Sequence, residues 1–201
     1  MSFNSALLIA ELDSALSKAS PSKLNTILRA MLELFCSDTS IFSSEQVAIF
    51  DHLFGHMIEK VDQNVLVELS TSLASIANAP AKVVNQLSRS DDITISGPLL
   101  CQSGALREET LCEIARSKSQ PHLSAIAGRP QVSETVSDIL VDRGDAEIVH
   151  KLAANTGARL SMRGFSKLIK RAESDRALAA TLMQRADLPD ELRPFLRLAS
   201  P

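Results

Sequence analysis

The 201-residue sequence predicts an all-α protein in which an N-terminal helical bundle, residues 1–91, continues into an array of stacked helix hairpins over residues 92–201. Three observations carry this. Apolar residues recur at helical spacing almost everywhere, and segments alternating with a period of two are scarce. Helix start and stop residues punctuate the chain at the ends of those apolar stripes. After about residue 92 the pattern itself repeats. With 45% hydrophobic and 22% charged residues, the composition is that of a folded, water-soluble domain rather than a disordered or fibrous chain.

The first predicted helix is marked by Leu8, Leu12 and Leu16. Ser20 before Pro21 supplies an N-cap and a proline at the first helical position, and Leu24, Ile27, Leu28, Met31 and Phe35 then share one face. Ser43 with Gln46 forms a capping-box pattern ahead of Val47, Phe50, Phe54, Met57, Ile58 and Val61. Leu66, Leu69, Leu73 and Ile76 mark another helix, which must end by Pro80.

The second half has a countable register. The turns Gly104-Ala105-Leu106, Pro130-Gln131-Val132, Ala158-Arg159-Leu160 and Ala186-Asp187-Leu188 each end on an apolar residue, with separations of 26, 28 and 28 residues. Eight positions beyond lie Ile114, Leu140, Leu168 and Leu196; six positions before lie Leu100, Ile126, Ala154 and Leu182. Ser133 and Ser161 are placed to N-cap, Pro189 to start a helix, and Gly128 and Gly157 to end one. One hairpin is too small to bury both of its faces, so successive hairpins must stack on these repeated positions.

The stretches Ala127-Gly128-Arg129-Pro130, Val141-Asp142-Arg143-Gly144-Asp145, Ala154-Asn155-Thr156-Gly157-Ala158-Arg159-Leu160-Ser161 and Arg185-Ala186-Asp187-Leu188-Pro189 resemble those of an uncharacterised, mostly alphaproteobacterial domain-of-unknown-function family with HEAT-like helical repeats. The resemblance is strongest from residue 92 onward. It implies a HEAT-like α/α fold and brings no catalytic residue or cofactor with it. One position departs from the family pattern: Arg107 follows Leu106 where the family tends to carry Ser or Asp, which leaves that helix without the usual cap.

Charge and composition narrow the function. The formal net charge is −3, but residues 1–100 hold 6 Lys/Arg against 11 Asp/Glu, whereas 151–185 hold 8 against 2. Basic charge is therefore concentrated late in the chain, within a protein too acidic overall to coat polyanions. Trp and Tyr are absent and Phe numbers seven, so sugar- or base-stacking platforms have little to be built from. Cys36, Cys101 and Cys112 are odd in number and lack CxxC spacing, which predicts a reducing cytoplasm and no thiolate metal site. The early apolar run 6–10 is cut by Glu11 and Asp13, so neither a secretion signal nor a membrane span is expected.

Sequence motifs for chemistry are sparse. His52 and His56 have zinc-protease spacing, but the following Glu is replaced by Leu53, and a helical wheel puts both on a solvated face with Glu45 and Glu59. Cys112 sits between Leu111 and Ile114 as a buried cysteine would. Phosphate-loop, dinucleotide and nucleophile-elbow patterns are all missing. Arg143-Gly144-Asp145 reads as a helix end followed by a new N-cap. No cofactor or metal is expected, and the chain is not expected to be an enzyme unless a site assembles only in the fold.

One candidate surface emerges. On the helix over about 162–172, Arg163, Lys167, Lys170 and Arg171 fall in one arc, opposite Phe165, Leu168, Ile169 and Ala172. The expected function is a non-catalytic protein-interaction scaffold of the cytoplasm whose partner is an acidic protein; duplex DNA bound through the same helix is the alternative. Asn155 reads as a helix end whose amide is available to a partner's backbone.

Overall fold

The computed structural model describes residues 11–37 and 42–198. Leu8 and the apolar run 6–10 lie outside the described residues. Helices dominate what is described, and the one β feature there is an isolated bridge between Val132 and Ala158. The chain divides into two compact units, Met1–Leu106 and Arg107–Pro201, the division falling at the end of the turn Gly104-Ala105-Leu106.

The first unit contains a helical stretch over 11–17 (α1), then α2 (Pro21–Ser37), α3 (Ser44–Met57), α4 (Gln63–Ala74), α5 (Ala81–Ser88) and α6 (Ile93–Gln102). Its starts follow the sequence. Ser20 accepts the Lys23 N–H, and the Ser43/Gln46 capping box forms from both sides. Alternate helices pack together, α2 on α4, α3 on α5 and α4 on α6. The α2 stripe is rotated slightly from expectation: Leu24, Leu28, Leu32 and Phe35 are buried while Ile27 and Met31 are half-exposed. Phe35 meets Phe42, Phe50 and Phe54 with ring centroids 5.6, 4.9 and 6.4 Å away. Burying a side chain of this size contributes roughly 1.5–3 kcal/mol, so the cluster anchors the α2–α3 contact.

One cap comes from outside its own helix. Pro80 precedes α5 and makes no side-chain cap. The buried Asp51 carboxylate of α3 instead accepts the Lys82 N–H at 3.0 Å and the Val83 N–H at 2.8 Å. The negative charge thus sits on the positive end of the α5 dipole.

The second unit contains α7 (Glu108–Ser117), α8 (Gln120–Ala127), α9 (Glu134–Arg143), α10 (Ala146–Ala154), α11 (Met162–Ala172), α12 (Arg176–Met183), a 3₁₀ turn (Asp190–Leu192) and α13 (Arg193–Leu198). Here too alternate helices stack: α7, α9, α11 and α13 form one row, and α8, α10 and α12 the other. Of the twelve register positions eleven are buried. Ala154 is the correction: it is exposed, and Ala153 takes its place in the core at 1%. The reason is a shift of one residue at the helix end. Ile126 and Leu182 are each the last residue but one of α8 and α12, and in α10 that place belongs to Ala153.

Caps follow their residue chemistry. Ser133, Asp145 and Ser161 accept the N–H groups of Val136, Ile148 and Gly164. Arg107 caps α7 with no side-chain bond. Pro189 precedes the 3₁₀ turn rather than entering an α-helix. Gly128 ends α8 with φ −84°, an ordinary right-handed conformation, and α10 ends on Asn155 rather than Gly157. Gly157 serves a different purpose. Val132 N donates to Gly157 O at 3.2 Å and Arg159 N to Val132 O at 2.9 Å, which brings two turns so close that a Cβ on Gly157 would lie 1.8 Å from the Pro130 carbonyl oxygen. Gly157→Ala is therefore expected to cost about 1–3 kcal/mol by forcing the turns apart. Chemical denaturation checks this, and an unchanged midpoint refutes the close approach.

Candidate functional site

The site of interest lies on the turns and on α11 of the second unit. α11 is strongly amphipathic, with Phe165, Leu168, Ile169 and Ala172 buried as the wheel predicts. Three of its four cations are engaged within the chain. Arg163 Nη2 lies 2.8 Å from Asp142 Oδ2, and Lys167 Nζ bonds the other oxygen of the same carboxylate. The hydrogen bond from Lys167, helped by the charge of Arg163, holds the Asp142 carboxyl below its ordinary range against partial burial. Arg171 donates to the carbonyls of Val141 and Gly144, both at 2.9 Å, so its charge sits on the negative C-terminal end of α9. Lys170 is exposed with no partner among the described residues.

For two of the four arc cations, Arg163 and Lys167, an acidic counterpart is supplied by α9 of the same chain. Glu134, Asp138 and Asp142 are spaced by four and so share one face. Arg159 pairs with Glu134 at 3.2 Å, Ser161 Oγ donates to Asp138 at 2.6 Å, and Asp142 takes the two cations above. As solvated pairs these contribute at most about 1 kcal/mol each, and they engage two of the four cations of the arc, Arg163 and Lys167.

Asn155 is likewise committed. Its Nδ2 donates to the carbonyls of Ala127 at 2.9 Å and Arg129 at 2.7 Å, and its Oδ1 accepts the Gly157 N–H at 2.9 Å. The amide does meet a backbone, but that of the preceding turn in its own chain, which corrects the expectation that a partner receives it.

A buried arginine was missed. Arg185, three residues before Leu188, has its side chain 4% exposed. Nη1 donates to the carbonyls of Ala153 at 3.0 Å and Asn155 at 2.9 Å, and Nη2 to Ala158 at 2.6 Å. Nε and Nη2 also bind the two oxygens of Asp187 at 2.8 and 2.7 Å, and the guanidinium carbon lies 5.9 Å from the Phe165 ring centre. The fork ties the last turn to the one before it. The signal was an Arg at fixed offset: Arg129, also buried, stands three residues before Val132.

Between the turns ending on Leu160 and Leu188 opens a groove of about 650 Å³. It is lined by the buried Arg185, by the alanines at 153, 154, 158 and 186, and by Thr156, Thr181, Gln184 and the exposed Arg159 and Asp187. These residues offer hydrogen bonds and close backbone approach, with no thiol or imidazole among them.

The remaining candidates lie elsewhere. His52 is exposed, with Nε2 2.7 Å from Asp13 Oδ2. His56, expected on the same solvated face, is half-buried and its Nε2 is shielded from water without a hydrogen-bond partner. Burial pushes the thiol of Cys112 up, away from the thiolate that nucleophilic chemistry needs, and Cys36 is exposed on the first unit. Among the described residues no group of three or more His, Cys, Asp or Glu is placed to hold a metal ion, and no helix is long and apolar enough to cross a membrane.

A family model described as an uncharacterised protein conserved in bacteria, DUF2336, matches residues 95–197, just over half of the chain. Neither a curated protein nor a solved structure matches the chain.

Proposed function

We propose that this chain, which belongs to the bacterial DUF2336 family, is a non-catalytic interaction scaffold of the cytoplasm that receives a segment of a partner protein on the turn face of its second unit. The observation that supports the reading is the groove between the turns that end on Leu160 and Leu188, in which four alanines lie among polar and charged residues. Three polar side chains near it are spent on architecture: Arg185 and Asn155 hold turns together and Asp187 neutralises Arg185. Three free cysteines, of which Cys36 is exposed, fit a reducing compartment. Duplex DNA is the weaker reading, because Arg163 and Lys167 share one carboxylate and Arg171 lies on helix-end carbonyls.

The test places a photo-crosslinking amino acid at Ala186 on the groove and, separately, at Lys23 on the exposed side of α2, in the bacterial cell of origin. A discrete protein adduct is expected from Ala186 and not from Lys23. Absence of an adduct at Ala186, or the same adducts from both sites, removes the support for a scaffold acting through this face.

A further inference from the structure

Successive turns of the second unit are joined in two different ways. The turns ending on Val132 and Leu160 are zipped by backbone, through the Val132/Ala158 parallel bridge and its two hydrogen bonds of 3.2 and 2.9 Å. The turns ending on Leu160 and Leu188 are not: among the described residues no backbone hydrogen bond links 156–160 to 184–188, and the span is made by the Arg185 side chain with the groove above it. The second pair of turns therefore stands open where the first is closed. Four of the groove's ten lining residues are alanines, which let another backbone approach closely, and the N–H groups of Thr156 and Ala186 on the two sides have no partner among the described residues. Charge sets the polarity of an occupant. Arg159 on one rim is 78% exposed, and Glu134 at 3.2 Å is a partner it can exchange, whereas Asp187 on the other rim is already bound by Arg185.

Resting on the scaffold reading above, we infer that the groove takes an extended peptide segment of the partner that carries small side chains and an acidic residue, the backbone lying between the two turns and the carboxylate meeting Arg159. This is strand addition at a two-turn scale, with main-chain hydrogen bonds giving affinity and the Arg159 contact giving selectivity.

The test selects a displayed library of random dodecapeptides on the intact protein, followed by fluorescence anisotropy of the enriched peptides. Sequences containing Asp or Glu among small residues are expected. Their Kd should rise at least about tenfold with Ala154→Trp or Ala186→Trp, which fill the groove from exposed positions, and with Arg159→Glu, which reverses the rim charge. Thermal melts of the three variants confirm that the fold is kept. Enriched peptides without acidic residues, or binding that all three variants leave unchanged, overturn the inference while cross-linking from Ala186 still upholds the scaffold. Failure of any peptide to enrich overturns the inference as well, and the loss of Ala186 adducts besides overturns the scaffold reading itself.

Discussion

Replacing Arg185 by Met is expected to lower the free energy of unfolding by about 3–5 kcal/mol, the range seen when one partner of a buried ionic network is removed. Met retains much of the aliphatic stem, so the loss isolates the guanidinium. Without it the carbonyls of Ala153 and Ala158, and the Asn155 carbonyl, lose a charged donor at 2.6–3.0 Å. The Asn155 carbonyl keeps the Ala158 N–H at 3.1 Å, but the buried carbonyls of Ala153 and Ala158 are left without a partner, and each such acceptor costs about 1–3 kcal/mol. Arg185→Lys should rescue little, because one ammonium cannot span three carbonyls and a bidentate carboxylate. Asp187→Asn should cost far less, since Asp187 is about half exposed and water replaces the lost charge. The measurement is chemical denaturation of the three variants side by side. A change below about 0.5 kcal/mol for Arg185→Met is what an ordinary surface position would give, and would show that the fork does not hold the turns.

Helices were legible from sequence and their neighbours were not, and particular residues show why. A stripe such as Phe165, Leu168, Ile169 and Ala172 is written by the helix period alone, so the buried face of α11 was read correctly without knowing what covers it. The same wheel placed Arg163 and Lys167 on the opposite arc, but it holds no information about Asp142, which lies 21 and 25 residues upstream and faces them across two packed helices. Capping was legible where donor and acceptor are three residues apart, as for Ser43, Ser133 and Ser161, and invisible where Asp51 of α3 caps α5 from 31 residues away. Arg185 was hidden by a sound prior, since an arginine in a turn is normally solvated. The repeat offset it shares with Arg129 was the clue. The turn register failed only at Ala154, where a shift of one residue at the end of α10 moves the core position to Ala153.

That shift makes the core of the second unit testable residue by residue. Leu140 and Leu168 are both fully buried, the first in α9 and the second in α11, which packs on α9 in the same row. Leu→Ala at either should cost about 2–5 kcal/mol, because the transfer energy of three carbon atoms is lost and the stacked row cannot collapse to fill the hole. Lys170→Ala, on the exposed arc of α11, should stay within about 0.5 kcal/mol. The corrected register adds a sharper contrast between adjacent residues of one helix. Ala153→Glu buries a carboxylate at a site 1% exposed and should destabilise severely, whereas Ala154→Glu, one position on, points a charge into water and should be nearly silent. Denaturant midpoints for the five variants decide the matter. If Ala153→Glu and Ala154→Glu prove equally harmful, or if Leu140→Ala and Leu168→Ala match Lys170→Ala, the row-on-row stacking that places Arg185 and the groove is wrong.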